Sequence, residues 1–168
     1  MILGLSLLAF VHTIISLIGI LAGFVVMSGM LSSDRMPGWT ALFLLLTILT
    51  SATGFLIPPL VTEKLLPSHM IGVLSLILLA IACYALYGAR LSDSWRWIYV
   101  VTALLAQYFN VFVLVIQSFL KIGPLHALAP SVPPSEPPFA VAQGIVLVFF
   151  IIFIIGAIRR FHPAPRFA

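Results

Sequence analysis

Seven polar side chains stand inside, or at the mouths of, long apolar runs in this sequence: His12, Thr50, His69, Gln107, Asn110, Gln117 and Gln143. Hydrocarbon satisfies none of their hydrogen-bonding atoms, so each needs a partner from the protein or from a bound guest. Imidazole has the widest chemistry of the set. It can ligate haem or a metal, relay a proton, or hydrogen-bond to a quinone carbonyl. His12 and His69 are the one candidate pair for bis-histidine haem b, although their depths differ by several ångströms at 1.5 Å per residue. A divalent metal has less to hold it, because no carboxylate falls within an apolar run. His126 and His162 lie beside prolines in a connection and a tail, and read as solvated.

The elements that carry these residues follow from composition. The chain has 168 residues, 62% hydrophobic and 7% charged, with a mean hydropathy of +1.26. A soluble domain of this size holds roughly 25% charged residues. The expected fold is therefore all-α, a single polytopic membrane bundle over 1–168. Five runs are long enough to cross a bilayer: about 2–30, 40–60, 69–88, 97–120 and 139–158. All five must be helices, because an open strand edge leaves backbone groups unpaired in lipid. The first lacks a basic leading segment and a cleavage signal, so it is expected to stay in the mature protein. A net charge of +4 does not imply nucleic acid, since no basic patch interleaved with aromatics exists. Cys83 is alone and forms no intrachain disulfide.

Charge sets the expected orientation. Arg35, Arg90, Arg96, Arg159, Arg160 and Arg166 fall on one side of the five spans, and Lys64 and Lys121 on the other. Positive charge is retained in the cytoplasm, which predicts an outer N-terminus and a cytoplasmic C-terminus in a bacterial inner membrane. Trp39, Trp95 and Trp97 then sit at the cytoplasmic interface.

Helical periodicity groups the polar residues into stripes. Taking Gln107 as zero, Asn110, Gln117 and Lys121 fall at about 300°, 280° and 320°, with Ala103 and Ala106 in the same sector. Thr47, Thr50, Ser51 and Gly54 share a face of the second span, with Pro58 near its outer end. His12, Ser16, Gly19 and Gly23 share one of the first, and His69, Gly72, Ala80, Cys83 and Tyr87 one of the third. Gln143 stands alone in the fifth. Small and polar stripes hold membrane helices together, at about 0.6–2 kcal/mol per hydrogen bond. On that account His12 bonds Thr50 or Asn110. The stripes have a second feature: on the expected topology His12, His69, Asn110, Gln117 and Gln143 all lie toward the outer leaflet. Packing has no reason to prefer one leaflet, whereas a pocket open to the outside does.

The 121–138 connection, KIGPLHALAPSVPPSEPP, contains six prolines. It reads as stiff extended backbone serving as a lid, a docking surface or a spacer.

The stretches SATGFLIPP, YFNVFVLVIQSF and PLHALAPSVPPSEPPF resemble a family of small proteobacterial integral membrane proteins without an assigned activity. The resemblance runs from the second span to the fifth and carries no site residue with it. The opening VHTIISLIGILAG is similar to the H-x-x-x-x-x-x-G beginnings of small haem-b membrane cytochromes, which implies haem at His12.

Three function classes remain. A non-catalytic bundle would bind a small apolar ligand such as quinone, lipid or haem, or serve as accessory subunit of a larger membrane complex. A small-solute transporter or channel would work as a homo-oligomer, yet the inner halves of the spans offer few polar groups beyond Thr47 and Thr102. An enzyme is disfavoured, because His12 and His69 are its only acid–base candidates.

Overall fold

The computed structural model of the protein describes residues 6–56 and 67–163, with the side chains of 67–69 outside the description. It is an all-helical membrane bundle, with five helices long and apolar enough to cross a bilayer. They are α1 (Leu7–Leu31), α2 (Pro37–Gly54), α3 (Pro67–Cys83) with the helical turn that continues it to Gly88, α4 (Trp95–Lys121) and α6 (Pro137–Arg160), with a short α5 (Gly123–Leu128) between the last two. Over the described residues the expected spans and the helices agree to within a few residues, with α2 ending at Gly54. Residues 2–5 and 57–60 of the expected spans, Pro58 included, lie outside the described residues.

Their ends carry recognisable signals. Ser6 precedes α1 and its Oγ accepts from the Ala9 N–H at 3.2 Å. Pro37 and Pro137 stand in the first turns of α2 and α6, where a missing N–H costs nothing. Beyond Cys83 the helix widens into one π-helical turn, Tyr84–Gly88, closed by Ala89 N–H to the Tyr84 carbonyl at 2.8 Å. Gly88 is required there, since a Cβ would lie 2.8 Å from the Tyr84 ring. That ring meets Trp95 edge to face at 4.9 Å.

Helices adjacent in sequence pack on one another from α1 to α4, and α1 and α4 close the group. Helix α6 lies outside, against α4 and α1. Its attachment is aromatic: Tyr108 meets Phe150 edge to face at 5.6 Å, and Phe24 meets Phe149 at 6.3 Å. Phe150 and Ala157 are its fully buried residues. Val146, Ile154 and Ile158 are half-buried beside them, and the opposite face, including Ile145, Val148 and Ile152, is exposed, as a lipid-facing helix must be.

At one end of the bundle the chain is drawn tight. Arg96 of α4 donates from Nη1 to the Phe161 carbonyl at 2.6 Å and to Ile158 at 3.3 Å, placing a cation on the negative end of α6. The His162 N–H donates to Ser33 Oγ at 2.8 Å, tying the same terminus to the α1–α2 turn. Buried Tyr99 packs on Phe161 at 5.9 Å and hydrogen-bonds Thr40, whose own hydroxyl donates to the Arg35 carbonyl at 2.8 Å. Five of the arginines belong to the segments that meet here.

Two expectations hold only in part. In the third-span stripe, half-buried Gly72 lies against Phe55 and Ser51 of α2 and its outgoing turn, and Cys83 packs at the core's edge. Ala80 and Tyr87, however, are exposed, and the His69 side chain lies outside the described residues. Helix α3 buries Ser75, Leu79 and Ala82, and the π turn that continues it buries Ala85. Alanine and tyrosine are tolerated against lipid, so their alignment carried no inward signal. The 121–138 connection is also not simply extended. GPLHAL forms α5, with proline in its first turn. After it, Glu136 accepts from the Ser131 N–H at 2.9 Å, the Ser131 hydroxyl at 2.6 Å and the Ser135 N–H at 3.0 Å, folding the turn on itself.

Candidate functional site

The polar stripes of α1, α2 and α4 face one another in layers. In the middle layer Gln107 is completely enclosed. Its Nε2 donates to the Ile20 carbonyl at 2.8 Å, and the carboxamide lies directly on Gly23, where any Cβ would overlap it. The hydrogen in place of a side chain at Gly23 faces the Gln107 carboxamide, whose Oε1 is buried. That oxygen has no hydrogen-bond partner among the described residues. Gln107 is therefore placed as a tie between α4 and α1, out of reach of a guest.

The two glycines of the α1 G-x-x-x-G serve different neighbours. A Cβ at Gly19 would stand 3.3 Å from Leu46 Cβ and 3.7 Å from the α2 backbone. Gly23 instead admits Gln107 of α4. The α1–α2 contact and the α1–α4 contact thus each depend on one of them.

One layer outward, Asn110 Nδ2 lies 3.4 Å from Thr47 Oγ1, a long hydrogen bond from α4 to α2. Thr47 is buried and Asn110 half-buried. Thr50, a turn further, has a buried Oγ1 without a partner.

The outermost layer holds His12. Its Nδ1 is 2.9 Å from Thr53 Oγ1, and its Cε1 touches the place a Cβ would take at Gly54. The expected partners Thr50 and Asn110 are not used. The antiparallel register that sets Gly19 against Leu46 carries His12 past Thr50 to Thr53. Gln117 lies ten residues beyond Gln107, or about 15 Å along α4. This brings it level with His12, since α1 and α4 run in opposite directions. It is half-buried and makes no hydrogen bond with a described residue. Exposed Lys121 is one turn further on.

Two other residues stand apart. Gln143 donates from Nε2 to the Phe112 carbonyl at 3.1 Å, a tie between α6 and α4 whose Oε1 is buried without a partner. It belongs to another face of α4 and does not join His12. His69 lies in the first turn of α3, at the same end of the bundle, with its side chain outside the described residues. A His12–His69 haem pair thus falls outside the description as well. Among the described residues no three His, Cys, Asp or Glu side chains are grouped to hold a metal.

Packing changes along this seam. Every fully buried residue of α1 lies between Gly19 and Met30, and every residue from Leu7 to Ile18 is partly or wholly exposed. In α4 the buried residues run from Tyr99 to Gln107, with Val111 and Phe119 beyond. The apolar lock is tight from the arginine end to the Gln107 layer and open past it. His12, Ser16, Thr50, Asn110 and Gln117 stand where it opens.

Thr53 was missing from the sequence stripe, being offset from Thr50 by three residues. Its signal was the Thr50/Thr53 pair on one α2 flank, meaningful only once the α1–α2 register is known. No family model, curated protein or solved structure matches the chain.

Proposed function

We propose that this multi-pass membrane protein binds a small lipid-soluble molecule in the seam between α1, α2 and α4, at the His12 end, without catalysing its conversion. The observation that carries the reading is the coincidence of loosened packing with unfulfilled polar groups. Half-buried Gln117 has no partner among the described residues, half-buried Asn110 makes only one long bond, and the enclosed Thr50 Oγ1 beside them also lacks one. Helix-packing residues alone would be sealed, as Gln107 and Thr47 are. Quinones, lipids and haem are lipid-soluble molecules with polar groups that amide, hydroxyl and imidazole side chains can meet. With Arg35, Arg90, Arg96, Arg159 and Arg160 on the cytoplasmic side, the seam opens outward from a bacterial inner membrane.

The test is native extraction of the protein into nanodiscs, followed by identification of small molecules retained through purification. A single lipid-soluble species bound near stoichiometry, and lost in Asn110→Leu, is the expected result. A Soret band would identify haem. Indistinguishable small-molecule content in wild type and Asn110→Leu would overturn the reading.

A further inference from the structure

The hydrogen-bond donors around His12 assign its tautomer. Thr53 Oγ1 has one proton, and its shortest acceptor is the Leu49 carbonyl at 2.7 Å, with the Thr50 carbonyl at 3.3 Å. A carbonyl only accepts, so the proton is directed there. Thr53 Oγ1 must then accept in its 2.9 Å contact with His12, and Nδ1 must carry hydrogen. No carboxylate occurs in α1, α2 or α4 to balance an imidazolium. In the uncharged ring with Nδ1–H, Nε2 holds the lone pair. Nε2 makes no hydrogen bond with a described residue.

The exposed nitrogen of the seam is therefore an acceptor. A guest carbonyl meeting it would set two lone pairs against each other, whereas a guest hydroxyl would donate. A protonated amine would also donate, but α1, α2 and α4 hold no carboxylate to balance its charge. Resting on the binding function above, we infer that the guest presents a hydroxyl group to His12 Nε2. Of the lipid-soluble molecules that fit, this selects hydroxyl-bearing ones, such as a reduced quinone, over their carbonyl counterparts. Thr53 is a positioning residue, acting through the tautomer it imposes.

A benzoquinone and its quinol with the same short alkyl tail differ only in carbonyl against hydroxyl, and make a clean probe pair. Retention of each is measured anaerobically on protein-loaded phosphatidylcholine nanodiscs, relative to empty ones. The quinol is expected to bind about 2–10-fold more tightly, the range one hydrogen bond supplies. The preference should vanish in His12→Leu and shrink in Thr53→Val, which keeps the imidazole and frees its tautomer. Imidazole 15N spectra of the wild type, assigned by comparison with His12→Leu, should show His12 protonated at Nδ1 and give a second readout that needs no variant to bind. Equal binding of the two probes, or preference for the quinone, overturns the hydroxyl assignment while leaving the seam a binding site. Binding of neither probe also overturns it, and the natively retained molecule then decides whether the seam binds anything. An Nε2-protonated ring overturns the tautomer itself.

Discussion

Gly23 and Gln107 share one space: the carboxamide of α4 occupies the volume that any side chain on α1 at that position would need. This contact lets Nε2 reach the Ile20 carbonyl, and it marks the boundary between the sealed and open parts of the bundle. Gly23→Ala must push Gln107 away and break that bond. A loss of about 1–3 kcal/mol is expected, the usual cost of overpacking. Gly19→Ala, whose new Cβ meets Leu46 at 3.3 Å, should cost less. Unfolding in detergent measures both. Gly23→Ala combined with Gln107→Ala should recover part of the loss, so strictly additive effects would show that the two residues are not coupled.

Arg96 is the capping cation of α6. Arg96→Met leaves the Phe161 and Ile158 carbonyls unpaired, with an expected destabilisation of about 1–3 kcal/mol. Hydrogen exchange should rise in the last turn of α6 and in the α1–α2 turn, which the His162–Ser33 bond joins to it. Arg96→Lys should recover part of the effect. Unchanged exchange in that turn would separate the two ties.

Glu136 makes the 129–136 turn sensitive to acid. Hydrogen bonds from Ser131 and Ser135 hold its carboxyl well below the ordinary value of 4.5, down to about 2. A depressed folded-state pKa means that the stabilisation is complete above about 4.5 and is lost as pH falls toward 2. Exchange of the Ser131 and Ser135 amides should therefore be protected at pH 5 and lose that protection progressively below it. Glu136→Gln should weaken the protection at every pH. A wild-type turn whose protection is unchanged at pH 2 would contradict this assignment.

Orientation is open to labelling. In a Cys83→Ala background, cysteine at Ser131 should react with an impermeant maleimide added to intact cells, and cysteine at Ser94 should react only after the membrane is permeabilised. The opposite pattern would turn the seam toward the cytoplasm.

Hydropathy alone revealed the five spans, because lipid demands long apolar helices and little else imitates them. The inward faces of α1, α2 and α4 were legible because glycine, amide and hydroxyl groups are costly or wasted against lipid. Helix α3 was not, since its inner face holds Leu79, Ala82 and Ala85, types equally at home outside, and Ser75 stands alone among them. The His12 partner depended on a register set by Gly19 against Leu46, which periodicity within one helix does not contain. Proline density in 121–138 concealed α5, although Pro124 in its first turn is where a helix accepts proline.

Helix α6 meets α4 and α1 through an aromatic stripe, a few aliphatic side chains, one glutamine and an arginine-bound terminus, and it leaves the ribosome after the other four spans. The four helices before it pair in the order in which they are made, so each finds its neighbour already in place. Assembly then needs no rearrangement when α6 arrives. It docks on a finished surface, and a chain shortened before Pro137 should still insert α1 to α4 with the Gly23–Gln107 contact formed.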